Sequence, residues 1–455
     1  MSLDLAGKKV LVVGLAKSGV SAARLAALRG AHVSATDRRA ATELGPALRA
    51  LEGVKVAFAL GGHDERDFVT SDLLVVSPGV PLSLPEIQSA RREGIPVLAE
   101  IELAYQCLPE LPLVAVTGTN GKSTTTALCG AMFREDRRAF VGGNLGTPLS
   151  DLALSGEPVD VVVAELSSFQ LEGIERLRPR VATLLNVTPD HLDRYRSLDE
   201  YASAKARVFM NQEPGDVALA NARDPRTVAL AGSSRGELWT FGEGRPEPRS
   251  VRDQGDLVFS APSAGPEAFH LRSRALRGRH NRENAMAALA CARLLGVPGP
   301  AVQRALDEFP GLPHRLELVS ERGQVEWVND SKATNVDSTL VGLSAFPAGA
   351  GNVVLILGGR GKKAPYAPLR DLFPGRVKAL LTIGEDAPAV ERELGGAAPT
   401  EGCGDLKRAV SRARDLAVPG DVVLLSPACS SYDQFKNYEE RGEAFRRLVA
   451  ELESP

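Results

Sequence analysis

The stretch VTGTNGKSTTT, residues 116–126, decides how the middle of the chain folds. The apolar run LPLVAV at 111–116 leads into it and predicts a buried parallel strand. The run KSTTTALCGAMF, directly after Gly121, predicts a helix. A strand, a glycine turn and a helix in this order point backbone N–H groups and a helix N-terminus at an anion. The stretch therefore predicts a phosphate-binding loop.

The loop also supplies side chains for a nucleotide. Lys122 would place a cation against the β- and γ-phosphates, and the Ser123 hydroxyl would ligate Mg²⁺. Val116 stands where the full pattern requires its first glycine. The candidate nucleotide contacts are Gly118, Thr119, Asn120, Gly121, Lys122, Ser123 and Thr124. These residues alone do not separate a kinase, an ATPase and a ligase.

Composition limits the remaining possibilities. At 455 residues, a prior of about 150 residues per domain predicts about three domains. A net charge of −3 gives no electrostatic case for nucleic acid or an anionic membrane as the main partner. The start MSLDLAGKKV lacks a signal peptide's apolar stretch, and no apolar run approaches the ~18 residues of a membrane span. Five scattered cysteines without a CxxC pair favour free thiols in the cytoplasm.

Two proline-rich junctions, CLPELPL at 107–113 and EFPGLPHRLE at 308–317, predict linkers. They divide the chain into domains 1–108, 109–311 and 312–455. Strands and helices alternate in all three, which predicts an α/β fold with parallel sheets and right-handed crossovers.

The first domain has a glycine turn after its first predicted strand, KKVLVVGL. A dinucleotide fingerprint would need glycine where Ala16 stands. Asp37, followed by Arg38 and Arg39, ends the second strand, where a base or ribose contact often lies. We therefore expect nucleotide binding here rather than NAD binding, with a solvated strand end as the alternative.

In the second domain, polar residues follow apolar strands. Glu165 ends one strand, Asn186 ends another, and His191 lies in the loop beyond. Because strand C-termini in open α/β sheets face the ligand crevice, Lys122, Glu165 and His191 should converge on a Mg²⁺ site. Lys205 lies in the helix predicted at 201–209, and its spacing alone indicates an ordinary surface lysine.

The third domain places polar clusters after its strands: NDSKATN at 329–335, GGRGKK at 358–363 and SPACSSYDQF at 426–435. Three polar loops on one sheet edge predict a second substrate surface, and such enzymes work in clefts between domains.

These motifs lie in the order found in one family. They are TGTNGKSTT, GGNLGTP (142–148), ELSSFQLE (165–172), VTPDHLDRY (187–195), HNREN (280–284), LPHRLE (312–317), NDSKATN and SPACSSYDQFKNYEERGEAF (426–445). The set resembles the Mur ligases of bacterial peptidoglycan synthesis over essentially the whole chain. The DNPR and HGKT motifs of two sister ligases are absent. The resemblance implies a Rossmann-like N-terminal domain, a central P-loop ATPase-type domain with a mostly parallel sheet, and a Rossmann-like C-terminal domain.

The resemblance also implies the chemistry. The carboxylate of UDP-N-acetylmuramoyl-L-alanine would take the γ-phosphoryl group of ATP, and the amine of D-glutamate would attack the resulting acyl-phosphate. Such a reaction needs positioning and charge neutralisation more than covalent catalysis. Two Mg²⁺ ions are implied, together with a carbamylated lysine at Lys205. A cytoplasmic monomer without nucleic-acid partners or a membrane span is expected.

Residue roles follow from the same resemblance. The implied catalytic residues are Lys122, His191, Lys205 and Lys332. The implied metal ligands are Ser123, Glu165, His191 and Lys205 as its carbamate. Further ATP contacts would be Asn281, Asn284, Arg315 and Asp330. The UDP-substrate site would comprise Leu15, Asp37, Arg39, Ser77, Gly79 and Asn144. The D-glutamate site would comprise Thr334, Lys362, Ser426 and Phe435.

One position departs from the family. Arg360 stands in GGRGKK where relatives often have an acidic residue, which reverses a charge near the amino-acid site. The departure leaves open whether Lys362 or Lys363 takes the implied role.

Two other functions stay open. A different amide ligase of the same fold, such as a folylpolyglutamate synthase, should lack NDSKATN and should not use a uridine nucleotide. A non-catalytic nucleotide sensor should have lost Lys122, Glu165 or His191, and all three are present.

Overall fold

A computed structural model describes residues 3–144, 146–191, 194–243, 248–262, 264–362 and 364–452. Two compact units are present. One holds the chain up to His270 together with Glu283–Leu306, and the other holds Leu271–Arg282 and the chain from Asp307 onward. Among the described residues, no helix is both long and apolar enough to cross a membrane.

The first sheet is parallel throughout, with strand order β3-β2-β1-β4-β5. Its strands are β1 Lys9–Val13, β2 His32–Asp37, β3 Val56–Leu60, β4 Leu73–Val76 and β5 Val97–Ala99. Its helices are α1 Lys17–Leu28, α2 Gly45–Ala50, α3 Glu65–Val69, α4 Pro85–Arg92 and α5 Glu100–Cys107, with a 3-10 turn at Ala41–Glu43. The apolar strand β4 is buried along its whole length, as expected for a parallel sheet covered by helices on both faces.

The second sheet carries the phosphate loop. Its strands are β6 Leu113–Thr117, β7 Ala139–Gly143, β8 Val161–Glu165, β9 Val181–Leu184, β10 Val217–Asn221, β11 Glu237–Phe241, β12 Ser250–Gln254, β13 Asp256–Ser260 and β14 Glu267–Phe269. The order is β14-β13-β12-β11-β10-β9-β6-β8-β7, and only the β12–β13 and β13–β14 pairs of this described sheet are antiparallel. Its helices are α6 Lys122–Arg134, α7 Leu149–Ser155, α8 Ser168–Leu171, α9 Leu198–Ala206, α10 Pro225–Ala231, α11 Arg279–Leu294 and α12 Gly299–Glu308, with a 3-10 turn at Arg207–Phe209. The 3-10 turn at Arg274–Leu276 and the first residues of α11 belong to the second unit.

The third sheet belongs to the second unit. Its strands are β15 Glu317–Arg322, β16 Val325–Asn329, β17 Val353–Gly358, β18 Val377–Ile383, β19 Thr400–Gly404 and β20 Val422–Leu425. The order is β15-β16-β20-β17-β18-β19, and β15 alone among these described strands pairs antiparallel. Its helices are α13 Val336–Ser344, α14 Ala387–Leu394, α15 Leu406–Leu416 and α16 Tyr438–Glu451, with a 3-10 stretch at Ala367–Leu372. Three mostly parallel sheets confirm the predicted α/β class.

One hydrophobic core runs from the first sheet into the second. Ile101 and Leu103 of α5 share it with Ala115 of β6 and Ala164 of β8, and all four are almost completely buried. Each large apolar side chain buried in this way contributes roughly 1.5–3 kcal/mol relative to exposure. The two sheets are therefore held together by shared packing.

A buried carboxylate reinforces this junction. Glu102 of α5 is fully buried and accepts hydrogen bonds from the backbone N–H groups of Glu175, Arg176 and Leu177 at 2.9–3.0 Å, and from the Gln106 amide at 2.7 Å. A charge without water is tolerated only when such donors satisfy it. Because the three backbone donors lie in the segment before β9, Glu102 ties α5 to the second sheet.

Candidate active site

The phosphate loop depends on two glycines. Gly118 has φ 150° and Gly121 has φ 85°, in the region that favours glycine. A Cβ on Gly118 would lie 2.9 Å from the Leu185 Cβ, and a Cβ on Gly121 would lie 2.2 Å from the Asn284 Oδ1. Backbone and neighbours leave no room for a side chain at either position. The predicted ATP contact Asn284 therefore lies directly against the loop.

The segment after β9 fixes the loop's path. The Thr119 N–H donates to the Asn186 carbonyl at 3.0 Å, and the Asn120 N–H donates to the Asn186 Oδ1 at 2.8 Å. The helix α6 then begins after Gly121 without a side-chain cap. Its first N–H groups are the ones that an anion satisfies in phosphate-binding loops.

Lys122 folds back over this loop. Its Nζ donates to the carbonyl oxygens of Gly118 at 3.0 Å and Thr119 at 2.8 Å. The ammonium thus lies beside the N-terminus of α6. Ser123 is half-buried in the same turn, and Thr124 is buried.

Glu165 ends β8 and is buried. Its Oε1 accepts from the Asn144 side chain at 2.8 Å, and its Oε2 is buried without a hydrogen-bond partner. A buried, unpaired carboxylate oxygen is costly unless a cation or donor reaches it. The site therefore fits a hard cation such as Mg²⁺.

Lys205 is not the surface residue that its spacing indicated; that expectation is wrong, because its face of α9 packs inward. Only 1% of it is exposed, its Nζ donates to the Gly118 carbonyl at 2.8 Å, and the ammonium lies 4.4 Å from the centroid of the Tyr201 ring. Burial and then the charge of Lys122 lower the pKa of Lys205 to about 7, against the opposing influence of Asp190 and Glu165. A large neutral fraction is therefore available near neutral pH.

His191 lies in the same neighbourhood. It has φ 53°, and its ring lies 4.8 Å from the Phe169 ring and 6.1 Å, edge-on, from the Tyr201 ring. Tyr201 thus contacts both His191 and Lys205. Leu192 and Asp193 of the same motif lie outside the described residues. Within the described part of the chain, no three His, Cys, Asp or Glu side chains form a ready metal cluster.

The glycine turn of the first sheet is held by Asp37. Its carboxylate accepts from the Leu15 N–H at 2.8 Å and from the Arg39 backbone and guanidinium at 2.8–3.1 Å. Although burial opposes ionisation, the hydrogen bonds from Arg39 and Leu15 lower the pKa of Asp37 to about 2. Asp37 therefore positions two other predicted residues of the UDP-substrate site.

Ser77 and Gly79 complete this edge. The Ser77 hydroxyl donates to the Gly14 carbonyl at 2.8 Å, and a Cβ on Gly19 would lie 1.9 Å from the Gly14 oxygen. Gly79 is exposed, with open space where a side chain would stand. Asn144, which carries the hydrogen bond to Glu165, is also exposed. Gly79 and Asn144 are thus accessible, whereas the Ser77 side chain is buried against the turn.

In the second unit, Asp330 and Ser426 face each other. The Ser426 hydroxyl donates to the Asp330 Oδ2 at 2.8 Å, and the Leu316 N–H donates to the Asp330 Oδ1 at 3.2 Å. Burial raises the pKa of Asp330 to about 7, although Ser426, Arg315 and Leu316 favour its ionised form. Both side chains are buried, so in this structure neither presents its polar atoms to a ligand.

Arg315 lies between two residues with left-handed backbone, His314 at φ 62° and Leu316 at φ 44°. The Arg315 Nε is buried without a hydrogen-bond partner. Strained backbone and an unsatisfied guanidinium donor together are typical of a ligand-binding position. Close by, the Lys332 N–H donates to the His314 carbonyl at 3.0 Å, and the Lys332 Nζ lies 5.8 Å from the Tyr438 ring centroid.

Arg441 was missed by the sequence reasoning. It is 1% exposed and donates to the Ser331 hydroxyl at 3.0 Å and to the carbonyls of Ser331 at 2.9 Å and Cys429 at 3.1 Å. It therefore joins the loop after β16 to the loop after β20. The available signal was an arginine inside the NYEERGEAF motif, but nothing in the spacing shows that it turns inward.

The remaining predicted residues are less closely grouped. Thr334 is half-buried, Lys362 is exposed and Phe435 packs against the core beneath the third sheet. Lys363 lies outside the described residues. Asn281 is buried and donates to the Arg277 carbonyl at 3.0 Å. The arrangement around Phe435 indicates a packing role rather than a surface contact.

Comparisons with known proteins identify the family. Residues 8–99 match the family "Mur ligase MurD-like, N-terminal domain", 116–292 match "Mur ligase middle domain", and 314–429 match "Mur ligase, glutamate ligase domain". A protein of Anaeromyxobacter dehalogenans, named UDP-N-acetylmuramoylalanine–D-glutamate ligase, is 68% identical over 98% of each chain. A protein of the same name from Myxococcus xanthus is 52% identical over 99% of this chain and 100% of its own. A pseudomurein peptide ligase type C from Methanothermus fervidus, 18% identical, shares the fold over 98% of this chain and 100% of its own with a TM-score of 0.59.

Proposed function

The chain belongs to the Mur ligase family, and we propose that it joins D-glutamate to UDP-N-acetylmuramoyl-L-alanine with ATP, during peptidoglycan precursor synthesis in the cytoplasm. The observation that carries the proposal is the full-length identity to two proteins named for this reaction. The phosphate loop with Lys122, Glu165 and Lys205 around it supports ATP-driven chemistry.

In the first step the substrate carboxylate attacks the γ-phosphorus of ATP, the bond to the β-phosphate oxygen breaks, and ADP leaves. The product is an acyl-phosphate. Lys122 and the N-terminus of α6 would offset the charge that develops on the transferred group, with the other loop residues Gly118 to Thr124 cradling the phosphates. Asn281 and Asn284 would contact the adenine side, and Asp330 the ribose.

Ser123, Glu165, His191 and a carbamylated Lys205 would hold two Mg²⁺ ions. The buried, unpaired Oε2 of Glu165 supports this assignment. When bound, the ions would neutralise charge on the phosphate groups of ATP.

Carbamylation of Lys205 is part of the proposal. The ammonium first releases one proton, and the neutral ε-amine then adds to CO₂ and releases a second, so that a buried cation becomes an anion. The burial of Lys205 and its proximity to the charge of Lys122 both disfavour the ammonium, and its pKa of about 7 supplies the reactive amine.

In the second step the D-glutamate amine attacks the acyl carbonyl, and phosphate leaves from a tetrahedral intermediate. Lys332 would stabilise the acyl-phosphate, and Arg315 would contact its phosphate oxygens. The unsatisfied Nε of Arg315 supports that role. The residues that would surround D-glutamate are Thr334, Lys362, Ser426 and Phe435. The Ser426 hydroxyl would first have to leave its hydrogen bond to Asp330.

The UDP substrate would bind at the glycine turn of the first sheet. Its contacts would be Leu15, Asp37, Arg39, Ser77 and Gly79, with Asn144 closer to the reacting end. The protein would consist of the domains 1–108, 109–311 and 312–455 and would act as a monomer.

The test is ATP-dependent phosphate release with UDP-N-acetylmuramoyl-L-alanine and one of D-glutamate, L-glutamate, L-lysine or L-alanine. We expect release only with D-glutamate, together with a new amide product detected by mass. Phosphate release with a different amino acid would mean that the protein is an amide ligase whose acceptor is not D-glutamate. No release with any acceptor would reject the proposal.

A further inference from the structure

Arg360, the residue of the GGRGKK loop that departs from the family pattern, lies at the edge of the third sheet where ligands bind in this type of fold. Strands β16, β20, β17 and β18 are parallel neighbours, so the loops that follow them meet at one edge. The strand order reverses at β20, and a crevice at such a switch point is the usual ligand site. Arg360 lies two residues after the end of β17.

The backbone at Arg360 is fixed against the loop after β20. Its N–H donates to the Ser430 carbonyl at 2.9 Å, and its carbonyl accepts from the Ser430 N–H at 3.1 Å and the Ser430 hydroxyl at 2.8 Å. The base of the side chain therefore has a defined position, while the side chain is 51% exposed.

The guanidinium already binds a carboxylate. Its Nε and Nη2 each lie 2.9 Å from one oxygen of Glu385, in the loop after β18. The Asp433 carboxylate accepts the Glu385 N–H at 3.1 Å and places a second negative charge nearby. The positive charge of Arg360 thus lies near two carboxylates of the same chain, those of Glu385 and Asp433, at the same edge of the sheet.

An exposed pair of this kind opens easily, because water screens the charges and both side chains lose little on separation. Arginine's planar fork also recognises free carboxylates in the same two-point geometry. A substrate carboxylate can therefore replace Glu385, whose side chain is 55% exposed and can turn to solvent.

We infer that Arg360 is a specificity-determining residue that binds the side-chain carboxylate of the amino-acid acceptor, and that Glu385 occupies it as an internal substitute until the acceptor arrives. This inference rests on the proposed function, since it names the acceptor's dicarboxylate character as the recognised feature. Glu385 then competes with the acceptor.

The test compares Arg360→Gln, Glu385→Gln and the double variant, with D-glutamate and D-glutamine as acceptors. Loss of a two-point contact to a charge should raise the KM for D-glutamate on the order of tenfold in Arg360→Gln and narrow its preference over D-glutamine. The kcat and the KM for ATP should stay within about twofold. Glu385→Gln should lower the KM for D-glutamate, the double variant should behave like Arg360→Gln, and Arg360→Lys should restore part of the affinity.

The matched control is Arg66→Gln, which removes another exposed ion pair with two-point geometry, between Arg66 and the α3 N-cap Asp64. It should leave every KM unchanged. An unchanged KM for D-glutamate in Arg360→Gln, or an equal rise in Glu385→Gln, would show that the pair is structural only. If the wild-type protein uses a different dicarboxylic amino acid and Arg360→Gln raises the KM for it, the proposed function is wrong and this inference stands. If the wild-type protein uses only amino acids that lack a side-chain carboxylate, the inference is wrong.

Discussion

The Nζ of Lys205 donates to the carbonyl oxygen of Gly118 at 2.8 Å, and the Nζ of Lys122 donates to the same oxygen at 3.0 Å. Two ammonium groups therefore converge on one carbonyl of the phosphate loop. Because Lys205 is also buried, one of the two charges is unfavourable until an anion or a chemical change removes it. This relationship underlies the first two predictions.

Replacing Lys205 by alanine should reduce kcat by at least two orders of magnitude, on the order of a lost charge-stabilising contact in an active site. Added acetate or formate should restore part of the rate, because either anion can take the place of a carbamate. Lys407→Ala, an exposed lysine on helix α15, is the control and should behave like wild type. Failure of rescue with Mg²⁺ binding intact would contradict carbamylation.

Lys122→Ala should lose phosphoryl transfer by roughly 100- to 1,000-fold or more, since its ammonium offsets charge on the transferred group. The KM of the UDP substrate should change little, because its proposed contacts other than Asn144 lie on the first sheet. Single-turnover formation of ADP measures the step directly. Substantial retained turnover would remove Lys122 from this role.

Glu165→Gln keeps the acceptor for Asn144 but removes the negative charge. We expect the half-saturating Mg²⁺ concentration to rise at least about tenfold, measured both by activity and by calorimetric Mg²⁺ binding with an ATP analogue. Thermal stability should hold or rise, because a neutral amide replaces a buried negative charge whose second oxygen has no hydrogen-bond partner. Glu157→Gln, at an exposed site, is the control, and equal Mg²⁺ dependence in both variants would contradict the metal assignment.

Glu102→Ala should lower the free energy of unfolding by about 3 kcal/mol, because it leaves three backbone N–H groups and the buried Gln106 amide without their acceptor. Glu110→Ala, at an exposed position a few residues later, should change it by less than about 0.5 kcal/mol. Denaturant unfolding of both variants measures the difference. Equal stabilities would mean that water replaces the carboxylate at no cost.

Asp37→Asn tests the turn of the first sheet through pH. Since the folded pKa of Asp37, about 2, lies below its ordinary value, its stabilisation is present above pH ~4 and is lost as the pH falls toward 2. Asp37→Asn should therefore be about 2 kcal/mol less stable than wild type at pH 7, and the gap should close as the pH falls through that range. Asp371→Asn, at an exposed position, should show no such trend.

Much of the catalytic region could be predicted from local pattern. The strand, glycine turn and helix at 111–134 are confirmed because their signals are short-range, and Glu165 could be placed because it directly follows a continuous apolar strand. The edge strands β3, Val56–Leu60, and β19, Thr400–Gly404, were missed because they are only partly buried and lack a continuous apolar run.

Long-range contacts escaped the same reasoning. The inward face of Lys205 depends on the position of Gly118, 87 residues away in the chain. The pairing of Asp330 with Ser426 and the inward turn of Arg441 depend on loops from separate strands. The periodicity of a sequence indicates helices and strands, but no periodicity indicates which distant residues come into contact.

The hydrogen bonds from the backbone of residues 175–177 to the Glu102 carboxylate limit how chimaeras of related proteins can be made. A chimaera joined within the proline-rich segment 107–113 would separate the carboxylate from the turn that receives it. The donor of the first sheet would then have to supply residues 175–177 as well, or share their backbone path. We therefore expect recombination to keep the first two sheets together, even though the proline-rich segment between them is predicted to be a linker.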